Sequence, residues 1–400
     1  MDLKSGYPFW LVKDGLPYSY PKLEKDIKTD IVIMGGGISG ALAAYHFVNA
    51  GISCVLIDGR TIGLGSTCAS TSLLQYEIDT PLSALQAQIG KVNAARSYKL
   101  CEESIYTLKS IANKIKFEDL ELKKSLYYAA HKKDVSFLQR EFNTRQENGF
   151  EVKYLGQEAV AKQFGFDAPA AILSECGAQT NAYLFSHALL QYCLGRGMNI
   201  YDRTKSVKIL HDKRGVTLFT ENNFAVKAKK LVYATGYEAV QYIDKKIVEL
   251  VSTFACVSEQ HNGKKSFWKD DVLIWNTADP YLYMRSTADK RILVGGRDED
   301  FYNPTQRDKL LPSKTRQLVK DFRKIFSSID FKPEFSWAGT FGKTKDGLPY
   351  IGNYKKLPNS LFALGFGGNG ITFSLIAAEI LRDSILGKKN KDAVIFSFER

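Results

Sequence analysis

The stretch that decides the fold is DIVIMGGGISGALAAYHFV at residues 30–48, followed by CVLID at residues 54–58. A β-branched run, a glycine turn, an apolar helical run and a second β-rich run predict one strand–helix–strand unit. Its turn has G-x-G-x-x-G spacing: Gly35 allows the tight turn, Gly37 lets the backbone approach a pyrophosphate and Gly40 lets helix and strand pack. This context predicts a dinucleotide site, because the N–H groups that begin the helix attract anionic oxygens.

Asp58 ends the second strand, where it is expected to accept hydrogen bonds from an adenosine ribose, and its charge disfavours the 2′-phosphate of NADP. The first loop alone does not separate FAD from NAD. Three later segments favour FAD: small and hydroxylated residues at 63–70, a small-residue turn at 232–236, and a glycine turn at 365–372 before a helix predicted over 375–385. We therefore expect FAD as the cofactor.

These segments, in this order, resemble the D-amino-acid-oxidase-like superfamily of FAD-dependent oxidoreductases, which includes glycine oxidase, sarcosine oxidase and γ-glutamylputrescine oxidase. The likeness covers nearly the whole chain. The loop at 35–40 is similar to the family's ADP-binding fingerprint, 234–236 to its second dinucleotide turn, and 344–352 with 365–370 to its carboxy-terminal signature. Residues 396–400 are similar to a common family terminus.

The resemblance implies a mixed fold, α+β or α/β, with a Rossmann-like FAD-binding domain of the glutathione-reductase type and a second domain built on an antiparallel sheet. We predict a discontinuous FAD-binding domain at 1–85, 150–240 and 335–400. The substrate domain is then expected at 86–149, as a helical cap, and at 241–334, as the sheet.

The predicted cofactor contacts combine the loops above with positions that the family uses. Among the latter, Val207 lies where family members bring backbone to the adenine. The full set is Gly35, Gly37, Ile38, Ser39, Gly40, Asp58, Gly59, Arg60, Gly65, Ser66, Thr67, Ala69, Ser70, Ser72, Leu73, Val207, Ala234, Thr235, Gly236, Gly342, Gly367, Gly368, Asn369, Gly370, Ile371 and Thr372.

Departures from the family pattern bear on the substrate. Glycine-oxidase-like members carry a carboxylate-binding arginine where this chain has Phe341. Sarcosine-oxidase-like members use an arginine and a lysine at the positions of Gln75 and Thr372. Because a guanidinium is the strong partner for an α-carboxylate, these changes favour a small amine over a free α-amino acid.

Two further departures concern the flavin and the electron acceptor. Ala69 stands where dehydrogenase relatives carry a flavin-linked histidine, and residues 340–346 contain no cysteine. We therefore predict non-covalent FAD. Leu293 stands where some oxidases carry an oxygen-activating lysine, so either O₂ or a quinone remains open as the acceptor. In this chemistry the flavin takes a hydride from the carbon bearing the amine, so no strong catalytic base is required.

Candidate substrate-positioning residues lie on one predicted strand and just after the segment at 63–70 that favours FAD. Alternation along residues 281–285 puts Tyr281, Tyr283 and Arg285 on one face. There the guanidinium would replace the carboxylate-binding arginine and lysine residues that this chain lacks. The alternative is an ordinary sheet surface with an arginine stacked on aromatic rings. Gln75 and Tyr76 are further candidates.

The formal charge of +12 comes from lysines scattered in short groups such as 227–230, 245–246, 264–265 and 388–391. This distribution favours a solvated basic surface over a polyanion site. Three rival functions remain open: a tRNA-modifying oxidoreductase, suggested by a relative of this domain; a quinone-linked dehydrogenase at a membrane surface; and a flavin-binding protein without turnover.

The chain has neither an apolar run long enough to span a bilayer nor a secretory signal at its start, so a cytoplasmic protein is expected. Its six cysteines form no C-x-x-C pair and are expected to be reduced structural thiols. The five histidines are scattered, and no metal site is predicted.

Overall fold

In a computed structural model the chain folds around two large β-sheets, and the structure describes residues 1–263 and 266–400. Lys264 and Lys265, one of the predicted basic groups, lie outside the described residues. The strands are β1 (Lys4–Gly6), β2 (Ile27–Met34), β3 (Cys54–Ile57), β4 (Leu73–Leu74), β5 (Leu120–Leu122), β6 (Ser125–Tyr128), β7 (Val152–Gly156), β8 (Ala170–Ser174), β9 (Ala178–Thr180), β10 (Asn199–Tyr201), β11 (Ser206–His211), β12 (Val216–Thr220), β13 (Ala225–Tyr233), β14 (Glu249–Ser258), β15 (Leu273–Asn276), β16 (Tyr283–Ser286), β17 (Ile292–Glu299), β18 (Pro333–Lys343), β19 (Tyr350–Asn353) and β20 (Ser360–Leu364).

Helices pack on both sheets. They are α1 (Phe9–Asp14), α2 (Ile38–Asn49), α3 (Leu82–Ile89), α4 (Lys91–Lys114), α5 (Val135–Glu147), α6 (Gln157–Phe164), α7 (Ala182–Leu194), α8 (Pro304–Ile325) and α9 (Gly370–Ile385). In the described part of the chain, none of them is both long and apolar enough to cross a membrane.

The first sheet has eight strands, and its centre is parallel in the order β10-β3-β2-β13. β20 adds in parallel to the carboxyl half of β13, while β11 and β12 continue the sheet antiparallel. The carboxyl half of β2 and all of β3 are buried, as expected for a parallel sheet covered by helices. The unit β2–α2–β3 confirms the predicted strand–helix–strand segment and gives a Rossmann-like domain.

The second sheet has nine strands in the order β1-β18-β14-β17-β16-β15-β6-β8-β7, and all its pairs are antiparallel except β15 with β6. One face packs against α8, whose Leu318 and Phe322 are buried with Met284 and Val294. The other face meets the first domain, where Ala255 and Leu293 share a core with α1. The predicted antiparallel second sheet is therefore confirmed.

The sheets divide the chain differently from the predicted domain boundaries. β7, β8 and β18 fall in predicted FAD-binding segments but hydrogen bond within the nine-stranded sheet. Helix α4, predicted as part of the cap on the substrate domain, packs its buried side into the same core as α2 and α9. Hydrophobic periodicity predicts that an element has a buried side but not which neighbour covers it, so the division at those boundaries stays a prediction.

All six cysteines are free and buried, in agreement with the predicted structural thiols. Burial raises the pKa of Cys54 to about 12 and that of Cys68 to about 11. At neutral pH these thiols are therefore protonated and unreactive.

Candidate cofactor and substrate site

A cavity of about 670 Å³ lies between the two sheets. The parallel sheet contributes the glycine turn after β2, the residues that follow β3 and β13, and the start of α9. The antiparallel sheet contributes residues of β14, β16, β17 and β18. Ligand sites of Rossmann-like folds lie at the carboxyl ends of the parallel strands, which is where this cavity opens.

The glycine turn after β2 leaves no space for side chains. Gly35 has φ 113°, and a Cβ there would lie 2.3 Å from the carbonyl oxygen of Ala234. A Cβ on Gly40 would lie 1.8 Å from the carbonyl oxygen of Gly35. A Cβ on Gly37 would approach Thr67 Oγ1 to 2.7 Å. The turn therefore needs glycine at each position of the motif, and it brings the amino end of α2 to the cavity, where the N–H of Ile38 donates to Thr67 Oγ1 at 3.1 Å.

Asp58 lines the cavity at the end of β3 and accepts hydrogen bonds from the backbone N–H groups of Gly36 at 2.6 Å and Arg60 at 2.7 Å. Burial raises the pKa of Asp58 to about 6, and these two donors oppose the rise. The guanidinium of Arg60 binds Glu238 at 2.7 Å. This end of the cavity thus presents a desolvated carboxylate, which suits ribose hydroxyl donors.

Three hydroxyl oxygens in the cavity wall are buried and have no hydrogen-bond partner among the described residues: Ser66 Oγ, Ser206 Oγ and Thr235 Oγ1. Buried hydroxyls are normally satisfied. They line the same cavity as the amino end of α2 and supply donors that the phosphate and ribose oxygens of FAD require, so the residues present fit that cofactor.

The loop between β3 and β4, residues 58–72, is called the flavin loop below, and it is held by two indoles. Trp10 of α1 donates its Nε1–H to the carbonyl of Ser70 at 2.7 Å, and Trp337 of β18 donates to the carbonyl of Ala69 at 2.9 Å.

Neither cysteine nor histidine is among the described residues that line the cavity.

The end of the cavity under the antiparallel sheet is lined by Gln75, Tyr281, Tyr283 and Asp298. The two tyrosine rings lie 5.7 Å apart and are tilted by 51°. Tyr281 donates its hydroxyl to Asp79 at 3.3 Å, and that carboxylate also accepts the backbone N–H of Gly368 at 2.8 Å. Burial raises the pKa of Asp298 to about 6.

Most predicted cofactor residues meet in this cavity. Those that line it are Gly35, Gly37, Ile38, Ser39, Asp58, Gly59, Arg60, Gly65, Ser66, Thr67, Ala69, Ser70, Ser72, Leu73, Ala234, Thr235, Gly236, Gly367, Gly368, Gly370 and Ile371. Their roles toward FAD remain predictions.

Five predicted cofactor residues lie outside the cavity lining. Gly40 packs beneath the turn, and Gly342 accepts the N–H of Gly367 through its carbonyl at 3.1 Å. Asn369 donates to the carbonyls of Gln75 and Glu77, and Thr372 is buried in α9. The side chain of Val207 points to solvent, and its neighbours Thr204, Lys205 and Ser206 line the cavity instead.

Arg285, the predicted replacement cation, does not reach the cavity. Alternation does put it on the same strand face as Tyr283, but its guanidinium donates to the carbonyls of Ser72 at 2.8 Å and Thr180 at 3.0 Å. It also lies 5.2 Å from the ring of Trp10. Burial lowers its pKa to about 10. The structure thus corrects the expected substrate clamp to a buried residue that ties the flavin loop to the sheet.

Tyr76 is also buried away from the cavity. Its ring stacks on Phe150 at 5.1 Å, and its hydroxyl hydrogen bonds to Ser174 at 3.1 Å. The predicted substrate role of Tyr76 therefore has no support in the structure, because these contacts are those of a core residue.

Asp298 is a site residue that the sequence analysis missed, as are Tyr237 and Thr253 of the cavity lining. It follows Gly296 and Arg297, which have φ 136° and 60°, where the register between β14 and β17 shifts. Such a bulge changes which way the next side chain points, so simple alternation along the strand misplaces it. A glycine pair inside a strand is the signal that indicates a bulge.

The family model described as FAD dependent oxidoreductase, DAO, matches residues 30–384. The chain belongs to this family. It is therefore an FAD-dependent oxidoreductase, and the predicted family, fold class and cofactor are confirmed.

Curated relatives match almost the whole chain at low identity. A Bacillus subtilis protein named for a Rieske 2Fe-2S centre, YhfW, is 23% identical over 98% of this chain and 75% of its own length. Glycine oxidase of Bacillus subtilis is 22% identical over 91% of this chain and 95% of its own. γ-Glutamylputrescine oxidoreductase of Escherichia coli is 19% identical over 92% and 86%.

Solved structures share the fold. L-Proline dehydrogenase from P. horikoshii superposes with a TM-score of 0.78 and 19% identity, over 93% of this chain and 97% of that structure. Glycine oxidase from Geobacillus kaustophilus gives a TM-score of 0.77 and 19% identity, over 93% and 99%.

Proposed function

We propose that this enzyme oxidises the C–N bond of a small amine that lacks an α-carboxylate, with FAD bound non-covalently. The observation that carries the proposal is the charge of the substrate end of the cavity. Asp298 lies there with Tyr281 and Tyr283, whereas Arg60 and Lys205, the arginine and lysine of the described cavity lining, lie at the Asp58 end. A substrate carboxylate would meet a carboxylate without a guanidinium to bind it.

We infer the cofactor's place from the residues described above. The turn at 35–40 with Ser66 and Thr235 would hold the pyrophosphate, Asp58 the ribose, and the turn at 367–370 the flavin. When bound, FAD supplies the oxidant, which accepts a hydride from the carbon that bears the amine. The substrate also releases an amine proton, and water hydrolyses the resulting imine to a carbonyl product and ammonia.

The chain's own residues position the substrate and exclude water. Burial, with Asp298 as a further cause, raises the pKa of Tyr283 above its ordinary value, so its phenol stays protonated and available as a donor. The rings of Tyr281 and Tyr283 confine an alkyl chain between the flavin loop and the sheet. Orientation of this kind supplies much of the rate of an oxidation that needs no strong base.

The relatives named above support the reaction class. One is named for glycine and one for γ-glutamylputrescine, so an amine or amino acid is the common substrate type. The absence of cysteine and histidine from the described cavity lining supports non-covalent FAD, because these residue types form covalent flavin links.

Anaerobic reduction of the bound flavin tests the proposal. Purified protein should be yellow and should release all its FAD on acid precipitation. Pentylamine or 1,4-diaminobutane should bleach the flavin absorption without oxygen, whereas glycine and sarcosine should not. A flavin that glycine bleaches and the amines do not would contradict the amine assignment. Reoxidation by O₂ with peroxide formation, compared with reoxidation by a soluble quinone, then identifies the acceptor.

Leu293 is fully buried in the core between the sheets, so the position of the oxygen-activating lysine offers no cation. Both acceptors therefore enter the test on equal terms. A cytoplasmic location stays a prediction, which cell fractionation tests. Binding of tRNA stays a rival hypothesis that the relatives named above do not support, and salt-dependent tRNA retention tests it.

A further inference from the structure

Asp298 is the member of a charged run on β17 that forms no ion pair with a described residue, and the hydroxyl of Thr253 on β14 is its hydrogen-bonding neighbour. Arg297 before it binds Asp321 of α8, with Nε and the carboxylate oxygen 2.6 Å apart. Glu299 after it binds Lys314 of α8. Asp298 projects to the opposite side, into the cavity, and its Oδ1 is buried without a hydrogen-bond donor from any described residue.

Two glycines of β17 account for the position of Asp298 beside the tyrosine rings. A Cβ on Gly295 would fall 2.3 Å from the Tyr283 ring, so glycine makes room for that ring. Gly296 has φ 136°, and a Cβ there would lie 2.5 Å from the carbonyl oxygen of Tyr281. Two glycines thus bring a pair of aromatic rings and a carboxylate together at one end of the cavity.

Among the described residues no cation forms an ion pair with that carboxylate, although a hydrogen bond from Thr253 and the charge of Lys343 partly oppose the rise of its pKa. Lys343 is the cation of this region, and it is bound to Asp300 at 3.1 Å. Asp79 adds a second negative charge beside Tyr281. A desolvated carboxylate without a cation is costly, whereas an ammonium ligand between a carboxylate and aromatic rings is favourable.

Resting on the proposed function, we infer that Asp298 binds a second, protonated nitrogen of the amine substrate, between the rings of Tyr281 and Tyr283. The nitrogen that is oxidised must be neutral when the hydride leaves, and a carboxylate against it would oppose loss of its proton. The group held by Asp298 is therefore the distal ammonium, and the substrate class is a diamine or an amine with another cationic nitrogen.

A matched substrate pair tests this assignment. 1,4-Diaminobutane and pentylamine have the same number of heavy atoms, with a terminal ammonium in one and a methyl group in the other. In the FAD-loaded enzyme, kcat/KM for the diamine should exceed that for pentylamine by about 10- to 100-fold. Asp298→Asn should bring the ratio close to one. Asp330→Asn, which neutralises an exposed carboxylate paired with Lys332, should leave the ratio unchanged. A ratio near one in the wild-type enzyme overturns the inference.

A binding arm is independent of turnover. Tetramethylammonium cannot be oxidised at its nitrogen-bearing carbon because it has no free electron pair, so its equilibrium binding is measurable from the flavin absorption spectrum. Asp298→Asn should weaken this binding by at least about 10-fold, and Asp330→Asn should not. Equal binding to wild-type and Asp298→Asn enzyme overturns the role of Asp298, even if no amine reduces the flavin.

The outcomes separate the two proposals. If every amine leaves the flavin oxidised, the proposed function fails, and the tetramethylammonium arm still decides whether Asp298 binds a cation. If Asp298→Asn does not retain FAD, wild-type enzyme decides: tetramethylammonium should bind and acetate should not. Tighter binding of acetate overturns the inference.

Discussion

The guanidinium of Arg285 donates a hydrogen bond to the main-chain carbonyl oxygen of Ser72, 2.8 Å away. Since Ser72 closes the flavin loop, Arg285→Ala should remove a charged donor from two buried carbonyls, and that of Ser72 then keeps only the N–H of Thr180 at 3.3 Å. We expect a loss of about 3 kcal/mol of unfolding free energy and weaker FAD retention, with the diamine-to-pentylamine ratio unchanged. Urea unfolding and the two kcat/KM values measure this.

Arg316→Ala is the matched control for Arg285, because Arg316 is an exposed residue of α8. Its unfolding free energy should stay within about 0.5 kcal/mol of the wild type. If Arg285→Ala kept its unfolding free energy but lost the preference in kcat/KM for the diamine, Arg285 would be a substrate-binding residue after all.

The glycine turn predicts a sharp difference between two glycine-to-alanine changes. Gly40→Ala places a methyl group 1.8 Å from the Gly35 carbonyl oxygen, so the turn must open and FAD occupancy should fall several-fold. Gly156→Ala, before α6, meets no atom within 4 Å and should retain full occupancy. The ratio of flavin to protein absorbance after purification reports both. Full occupancy in Gly40→Ala would show that the turn accommodates the added methyl group.

Cation binding should depend on pH through Asp298. Burial raises its pKa to about 6, so the carboxylate is charged at neutral pH and becomes neutral as the pH falls below that value. The dissociation constant of tetramethylammonium should therefore rise about 10-fold between about pH 8 and pH 5. Other titratable or charged groups that face it are Asp79, Tyr281, Tyr283, Asp300 and Lys343.

Asp298→Asn separates its titration from that of its neighbours. In that variant the dissociation constant should be nearly independent of pH over the same range. An undiminished pH dependence would assign the titration to another group, such as Asp79.

Two buried histidines make the fold sensitive to acid. Burial lowers the pKa of His46 and of His187 to about 4, below the ordinary value near 6.5. Between these values the unfolded chain binds more protons, so the stability they provide is complete above about pH 6.5 and is lost as the pH falls toward 4. At about pH 5 each should cost about 2 kcal/mol.

His187→Gln tests this sign. Its ring hydrogen bonds to the hydroxyl of Tyr20 at 3.0 Å, and glutamine preserves a polar side chain there. The difference in unfolding free energy between about pH 7 and pH 5 should shrink by about 2 kcal/mol in this variant. An unchanged difference would mean that His187 already binds its proton in the folded state.

The order of local elements was predictable because each was encoded in adjacent residues. The unit β2–α2–β3, the helix α7 and the strands β10 to β13 carry clear periodicity, and the glycine loops fall where their conformations require glycine. Helix α9 begins at Gly370 rather than at the predicted residue 375, because the glycine turn continues directly into the helix.

The differences from the sequence-based expectations concern contacts between residues far apart in sequence. Nothing local indicates that α4 shares a core with α2 and α9, or that the guanidinium of Arg285 donates to the carbonyls of Ser72 and Thr180. Asp298 was missed because a bulge changes the face of the strand after Gly296. The identity of the substrate-site residues is therefore decided by tertiary contacts, which the sequence does not reveal locally. The dinucleotide turn is decided by adjacent residues, so it could be predicted.

The two indoles that hold the flavin loop come from opposite ends of the chain. Trp10 comes before the glycine turn in the sequence. Trp337 lies on β18, which in chain order is the last strand described in the antiparallel sheet. A fragment ending at residue 240 would contain the dinucleotide motif and the second glycine turn, but it would lack the indole of Trp337. One of the two hydrogen bonds that hold the flavin loop therefore comes from β18, so the conformation of a loop encoded early in the sequence depends on a strand encoded late.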